Sequence, residues 1–139
     1  MITGLHHINL VVPPDTLPEA NAFYAETLGL TPRPVPAAQV GTLAWFDIGA
    51  SGQQVHVAFG TPADFAHLDS RRHPCFRVTD GPQLLALRER IYAHHLRGGA
   101  GAPRDCDKPG AENSGAQGVE YPQRFFARDY AGNRLEFTL

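Results

Sequence analysis

The sequence predicts an α+β fold in which one unit, a strand then a helix then a hairpin, occurs twice. Three observations predict it. Short stretches alternate apolar and polar residues, as in Phe125 to Leu139, where Leu135, Phe137 and Leu139 take one face and Arg134, Glu136 and Thr138 the other. Two other stretches, Leu17 to Leu28 and Gln83 to Leu96, repeat their apolar residues at helical spacing. The order of these elements over residues 4–60 then recurs over 73–139, with 61–72 as a polar linker.

Leu5 to Val12 reads as the first strand, with Ile8, Leu10 and Val12 on one face and His7, Asn9 and Val11 on the other. Pro13 and Pro14 end it, because neither can donate to a sheet ladder. Thr16 with Glu19 has the form of a capping box, and Pro18 is tolerated in a first helical turn. The following helix buries Ala20, Phe23, Tyr24, Thr27 and Leu28, and Gly29 stops it. Thr31 to Ala37 holds three prolines and is at best an edge strand. Gly41 to Ile48 and Gln53 to Phe59 read as a hairpin across Gly49-Ala50-Ser51-Gly52. His73 to Val78 opens the second unit, and the second helix buries Leu84, Leu87 and Ile91. Gly98 to Gly118, rich in glycine, proline and charge, reads as a long loop of the kind that forms lids or binding loops. The closing hairpin turns at Asp129-Tyr130-Ala131-Gly132-Asn133.

Bulk properties exclude several classes of function. At 139 residues the chain makes one domain, or two small units sharing a core. Its formal net charge is −2 and no basic run marks a nucleic-acid surface. No apolar run is long enough to cross a membrane. The opening MITGLHHINLVV has neither a basic n-region nor a cleavage-site pattern, so a cytoplasmic location is expected. Cys75 and Cys106 form no CxxC and are expected to stay reduced. Seven histidines favour metal or acid–base chemistry.

Glu136 is the lone carboxylate of a strand otherwise fit for burial, and a buried carboxylate is costly unless paired or coordinated. The repeat supplies its companions. His7 begins the first unit and His73 the second. Each unit closes on a strand with one polar residue between apolar neighbours, Val55-His56-Val57 and Leu135-Glu136-Phe137. His7, His56, His73 and Glu136 are therefore equivalent by repeat position, and all face away from the helix-packing side. Three imidazoles and a carboxylate suit a divalent Zn, Fe, Mn, Ni or Co ion. A single strand histidine is more often a satisfied core or surface residue; the matching of four positions carries the metal reading. His6 and His67 have no matched partner and are read as solvent-facing. His94 and His95 end a helix, where an imidazolium suits the dipole, so their role is read as structural. Cys75 is read as a filler rather than a nucleophile. Tyr121, Arg124 and Arg128 are read as solvating a loop edge rather than touching substrate.

These stretches, Leu5-His6-His7-Ile8-Asn9-Leu10-Val11-Val12, Phe23-Tyr24 with Leu28-Gly29-Leu30, Gln53-Gln54-Val55-His56-Val57, His73 to Val78, and Arg128-Asp129-Tyr130-Ala131-Gly132-Asn133-Arg134-Leu135-Glu136, together resemble the vicinal oxygen chelate superfamily (glyoxalase, bleomycin-resistance and extradiol-dioxygenase-like proteins). The resemblance spans nearly the whole chain. It implies a single domain of paired βαβββ modules forming an open, cupped mixed sheet around a metal, often completed across a dimer, so a homodimer is expected. The family's first-strand ligand falls on His7, its second-module histidine on His73 and its last-strand glutamate on Glu136. His56 stands where glyoxalase I-like members have Glu and methylmalonyl-CoA epimerase-like members have Gln. Without it, His7, His73 and Glu136 form the two-His-one-carboxylate triad used by Fe(II) dioxygenase-like and Mn-dependent fosfomycin-resistance-like members.

What the superfamily shares is chelation of a small-molecule substrate through two neighbouring oxygens by a Lewis-acid metal. The resemblance thus implies a metal-dependent lyase or isomerase of the glyoxalase or epimerase kind, or an extradiol-type dioxygenase, with Glu136 and His56 as catalytic residues moving a proton. Thiol-transfer resistance chemistry ranks third, because no dedicated anion-binding cluster is identifiable in the sequence. The rival expectation is a non-catalytic drug-binding protein of the bleomycin-resistance type, with Trp45 and Phe125 lining its groove.

Overall fold

β1 (His7–Val12), β2 (Thr31–Arg33), β3 (Leu43–Asp47) and β4 (Gln54–Phe59) form a mixed sheet in the order β1-β4-β3-β2. The computed structural model describes residues 1–115 and 123–139. β1 runs parallel to β4, with Asn9 opposite His56, while β3 pairs antiparallel with both β4 and β2. Val12, Phe46, Val55 and Val57 lie on one side of this sheet and are buried with Ala20, Phe23 and Tyr24 of the helix that follows β1. The Tyr24 and Phe46 rings meet at 5.6 Å. Alternation in the strands thus leaves the opposite face, with His7, Trp45 and His56, outside the core.

The helix departs from the sequence reading in two ways. Only its first turn, α1 (Leu17–Ala20), is α-helical; Asn21–Thr27 continues as a π-helix. The wider coil closes i to i−5 bonds, Leu28 N to Phe23 O at 2.9 Å and the Thr27 hydroxyl to Ala22 O at 3.0 Å. The threonine hydroxyl offers the Ala22 carbonyl a donor that an apolar residue could not. Nor is the expected capping box made. Thr16 places no side-chain cap on the helix; its hydroxyl donates to Pro13 O at 2.7 Å and closes the turn that carries Asp15 at φ 62°. Gly29, at φ 80°, stops the helix as expected. β2 is shorter than the expected edge strand because Pro34 and Pro36 have no N–H to extend its ladder.

The second sheet repeats the first. β5 (Cys75–Arg77), β6 (Asp105–Cys106), β7 (Arg124–Arg128) and β8 (Arg134–Thr138) are ordered β5-β8-β7-β6, with β5 parallel to β8 and the other pairs antiparallel. Its first strand is shorter than the expected His73 to Val78, since Pro74 cannot donate; Pro74 O still accepts from Glu136 N at 3.0 Å. β6 lies inside the stretch read as a loop, and two residues of alternation are too few to see. α2 (Gly81–Arg97) is capped by Asp80, whose carboxylate accepts from Gln83 N at 2.8 Å, and ends at Gly98. Its Leu84 and Ile91 are buried, as are Phe125, Ala127, Leu135 and Phe137 on the α2 side of the sheet. Phe125 and Phe137 stack at 4.9 Å. The chain divides into two compact units, Met1–His67 and Leu68–Leu139.

One buried carboxylate shapes the closing hairpin. Asp129, 0% exposed, accepts from Ala131 N at 2.9 Å and Asn133 N at 2.8 Å through Oδ1, and from Asn133 Nδ2 at 2.8 Å through Oδ2. Gly132 completes the turn at φ 96°, where a Cβ would also lie 2.9 Å from Leu68. Asp129→Ala removes every acceptor and is expected to cost about 3 kcal/mol, whereas Asn133→Ala removes one donor and costs about 1 kcal/mol. Urea unfolding of the two variants measures this, and equal costs would remove Asp129 from its central place in the turn.

Candidate functional site

In the first unit, three rings stack across adjacent strands on the open face. His7 of β1 lies on His56 of β4 with centroids 4.0 Å apart, and His56 lies on Trp45 of β3 at 4.7 Å. Hydrogen bonds orient the middle ring. Arg33 Nη1 donates to Asp47 Oδ2 at 3.3 Å, and Gln54 Nε2 donates to Asp47 Oδ1 at 2.7 Å. The Gln54 amide is thereby turned so that its Oε1 faces His56 Nε2 at 2.9 Å. An amide oxygen only accepts, so His56 Nε2 carries the hydrogen and Nδ1 keeps its lone pair. Desolvation, then the nearby charges of His7 and His6, hold the His56 pKa below the usual imidazole value. His56 is thus a neutral imidazole at neutral pH. His6, read as solvent-facing, is exposed, and its Nδ1 also meets His7 Nδ1 at 2.9 Å.

In the second unit, Glu136 sits on β8 at 9% exposure and both its oxygens are engaged. Oε2 faces His73 Nε2 at 2.9 Å, and Oε1 accepts from Arg124 Nη1 at 3.0 Å. His73 Nδ1 donates to the Arg71 carbonyl at 2.6 Å. With Nδ1–H committed there, His73 turns its Nε2 toward the carboxylate. Cys75 is the register partner of Glu136. Desolvation, then the Glu136 charge, pushes its thiol up to about 11, which fits a filler rather than a nucleophile.

The two pairs have the same construction. His7 stands two residues before Asn9, the register partner of His56. His73 stands two residues before Cys75, the register partner of Glu136. Within either unit, and among the described residues, no three His, Cys, Asp or Glu side chains gather as a metal set; each unit presents a pair. The pairs nevertheless have the donor chemistry of metal ligands. A histidine with Nδ1–H on a backbone carbonyl and Nε2 turned outward is oriented as ligating histidines are.

Several residues take roles the sequence reading did not assign. Arg124, expected at a loop edge, has a side chain only 12% exposed and is ion-paired to Glu136. Arg128, also expected there, donates to Gly132 O and Ser70 O, each at 3.0 Å. The partnership of Arg124 depends on the β7–β8 register, which sequence alternation does not specify. Gln54 and Asp47 were legible only as polar strand residues. Arg134 lies over the Phe126 ring at 4.2 Å; desolvation first, then Arg128 and Arg71, lower its pKa. His94 is buried and His95 Nδ1 bonds Pro103 O at 2.9 Å, consistent with structural roles. His67 is exposed. Tyr121 and the 116–118 end of the expected lid lie outside the described residues.

No protein-family model matches the sequence, and no curated protein matches it. Solved structures do. A protein assigned to the glyoxalase family from Bacillus anthracis matches at 25% identity and TM-score 0.68, covering 99% of this chain and 94% of that one. A mutant of the fosfomycin resistance protein FosX from Listeria monocytogenes, solved with Mn(II) and 1S,2S-dihydroxypropylphosphonic acid, matches at 17% identity and TM-score 0.71, covering 99% and 90%. Lactoylglutathione lyase from Agrobacterium tumefaciens matches at 20% identity and TM-score 0.59, covering 99% and 93%. These neighbours place the chain among α+β proteins built from a repeated unit with a mixed four-stranded sheet. More narrowly, its fold is that of the glyoxalase family, FosX and lactoylglutathione lyase structures, as the vicinal oxygen chelate resemblance of its motifs implied. Among the described residues, no helix is long and apolar enough to cross a membrane.

The site makes one thiol a reporter. In metal-free protein, alkylation of Cys75 by iodoacetamide at neutral pH is expected to run roughly twentyfold slower than that of an ordinary thiol. Its rate should climb with pH until the thiol titrates near 11. Glu136→Gln removes the charge that opposes the thiolate, so the climb should shift to lower pH. An unshifted profile would separate Cys75 electrostatically from Glu136.

Proposed function

We propose that the protein is a metal-dependent enzyme of the vicinal oxygen chelate type, acting on a small substrate that presents two neighbouring oxygens. Its ligands to one divalent ion are His7, His73, Glu136 and His56, and its working form is a homodimer. The observation that carries this reading is the matched pair of pairs, His7 with His56 and His73 with Glu136, set by one register rule on two equivalent sheets. When bound, the ion supplies Lewis acidity at the paired oxygens and steadies the negative charge that develops there. FosX, with Mn(II) and a dihydroxypropylphosphonic acid bound, is a fold neighbour whose ligand has such neighbouring oxygens.

The residues divide the remaining work. Glu136 supplies the anionic charge, and Arg124 and His73 hold its two oxygens in place. Once it has left the ion, His56 is suited to take the substrate proton. It is neutral, its Nε2–H is fixed on Gln54, and among the described residues its Nδ1 has no hydrogen-bond partner. For Glu136 to do the same it would first have to release a donor. This ordering favours lyase or isomerase chemistry, in which a proton moves between carbons, over a dioxygenase reaction. A second reading, sequestration of a flat drug without catalysis, draws on the stacked Trp45–His56–His7 face.

Metal analysis of protein purified without chelator separates the two. About one divalent ion per chain is expected, with EDTA lowering the melting temperature. His73→Ala and Glu136→Gln should each weaken metal binding by about 100-fold or more, beyond the effect of outer partners. Absence of stoichiometric metal together with indifference to EDTA would sink the enzyme reading. His56→Ala is expected to lower kcat on the substrate found by screening 2-oxoaldehyde thiol adducts, acyl-CoA thioesters and diols, by about 100-fold. Unchanged turnover would take the proton step away from His56.

A further inference from the structure

A cavity of about 170 Å³ opens on the second sheet, lined by Asp105, Ser114, Phe126, Ala127, Arg128 and Arg134. That is far more than the roughly 15 Å³ one water needs, and less than the ~300 Å³ at which pockets begin to enclose whole drug-sized ligands. It has room for one chemical group. Two arginines line it. Arg128 donates to the neutral carbonyls of Gly132 and Ser70, which fix its position and leave its charge. Arg134 rests on the Phe126 ring; Asp107 and Glu136 act on it through space, while among the described residues it makes no ion pair within 4 Å. Phe126 itself is 5% exposed, so the wall beneath is apolar and attraction above it is less screened than in open water. The Ser114 hydroxyl is a further donor, since only the Ser114 N–H is committed, to Asp107. The single acid in the lining, Asp105, is exposed and is outnumbered.

We propose that this cavity is a subsite for a small oxyanion, the phosphate, phosphonate or carboxylate end of the substrate, gripped by Arg134 and Arg128. A planar guanidinium matches such groups with two parallel N–H bonds. Arg134 and Glu136 share one face of β8, about 7 Å apart along the strand, so an anion held at Arg134 aligns the rest of the molecule with the His73–Glu136 pair. The inference rests on the proposed function for the claim that the anion belongs to a substrate. The cluster escapes a reading of the sequence because its members come from three strands and the segment between β6 and β7.

Calorimetric titration of the full chain at low ionic strength tests it, with inorganic phosphate, methylphosphonate and acetate as ligands, on EDTA-treated and on Mn(II)-supplemented protein. Phosphate is expected to bind the EDTA-treated chain, and Arg134→Met to weaken that binding about tenfold or more. Methionine keeps an apolar stem over Phe126, and Arg134→Lys, which retains charge but loses the fork, serves if the methionine variant does not fold. Asp105→Asn should tighten binding, because the opposing charge is gone. The ranking of phosphate against acetate assigns the group. No binding by any of the three anions, or binding that ignores Arg134→Met and Arg134→Lys, overturns the subsite. Binding that appears only with Mn(II) and ignores Arg134 also overturns it, while leaving the metal enzyme reading intact. Phosphate held through Arg134 by a chain that takes up no metal keeps the subsite and removes the metal.

Discussion

The parallel pairing of the first and last strand of each unit is the constraint on which the rest depends. A parallel pair cannot be closed by a tight turn; its connection must cross over, and here the crossover is a helix. That helix covers one face of the sheet and leaves the other free of the core. The same pairing sets residues from the start of a unit beside residues from its end. His7 meets His56, and His73 meets Glu136, by one diagonal offset. Shifting either register by one residue would turn the closing histidine or glutamate into the helix-packed core. The apolar neighbours Val55, Val57, Leu135 and Phe137, all at most 2% exposed, oppose that slip.

How much of this was legible follows from the range over which each feature is encoded. Strand alternation and helical spacing are local, and so the two sheets, the two helices and their repetition could be read directly. The closing turn was equally plain, because Asp129, Gly132 and Asn133 satisfy one another within five residues. Two losses were local too, but turned on hydroxyl direction. Thr16 bonds backward to Pro13 instead of forward into the helix, and Thr27 bonds to Ala22 and favours the wider coil. β6 was invisible because its two residues owe their conformation to pairing with β7. Arg124 was misread for the same reason. Its partner is set by hairpin register, not by spacing along the chain.

The open faces have diverged while the topology stayed fixed. On the first sheet the polar residues end in a stack of rings, where Asp47 and Gln54 act on His56 through a chain of amide and carboxylate hydrogen bonds. On the second, formal charges meet directly, Arg124 on Glu136. Equivalent positions therefore hold a base-like imidazole in one unit and a clasped carboxylate in the other.

That difference decides how a proton task would be shared. A carboxylate gripped from both sides is well placed to hold charge steady and poorly placed to move, since each departure breaks a charge-assisted bond that is costly to leave unmade. A stacked imidazole with one nitrogen anchored and the other open can gain and lose a proton without shifting its ring. Burial and the neighbouring imidazoles both disfavour its charged form, so a proton taken up there is readily passed on. On the proposed function, Glu136 would chiefly hold charge and His56 would be the group that moves the proton. The feature separating them is the number of donors each has already engaged within its own sheet.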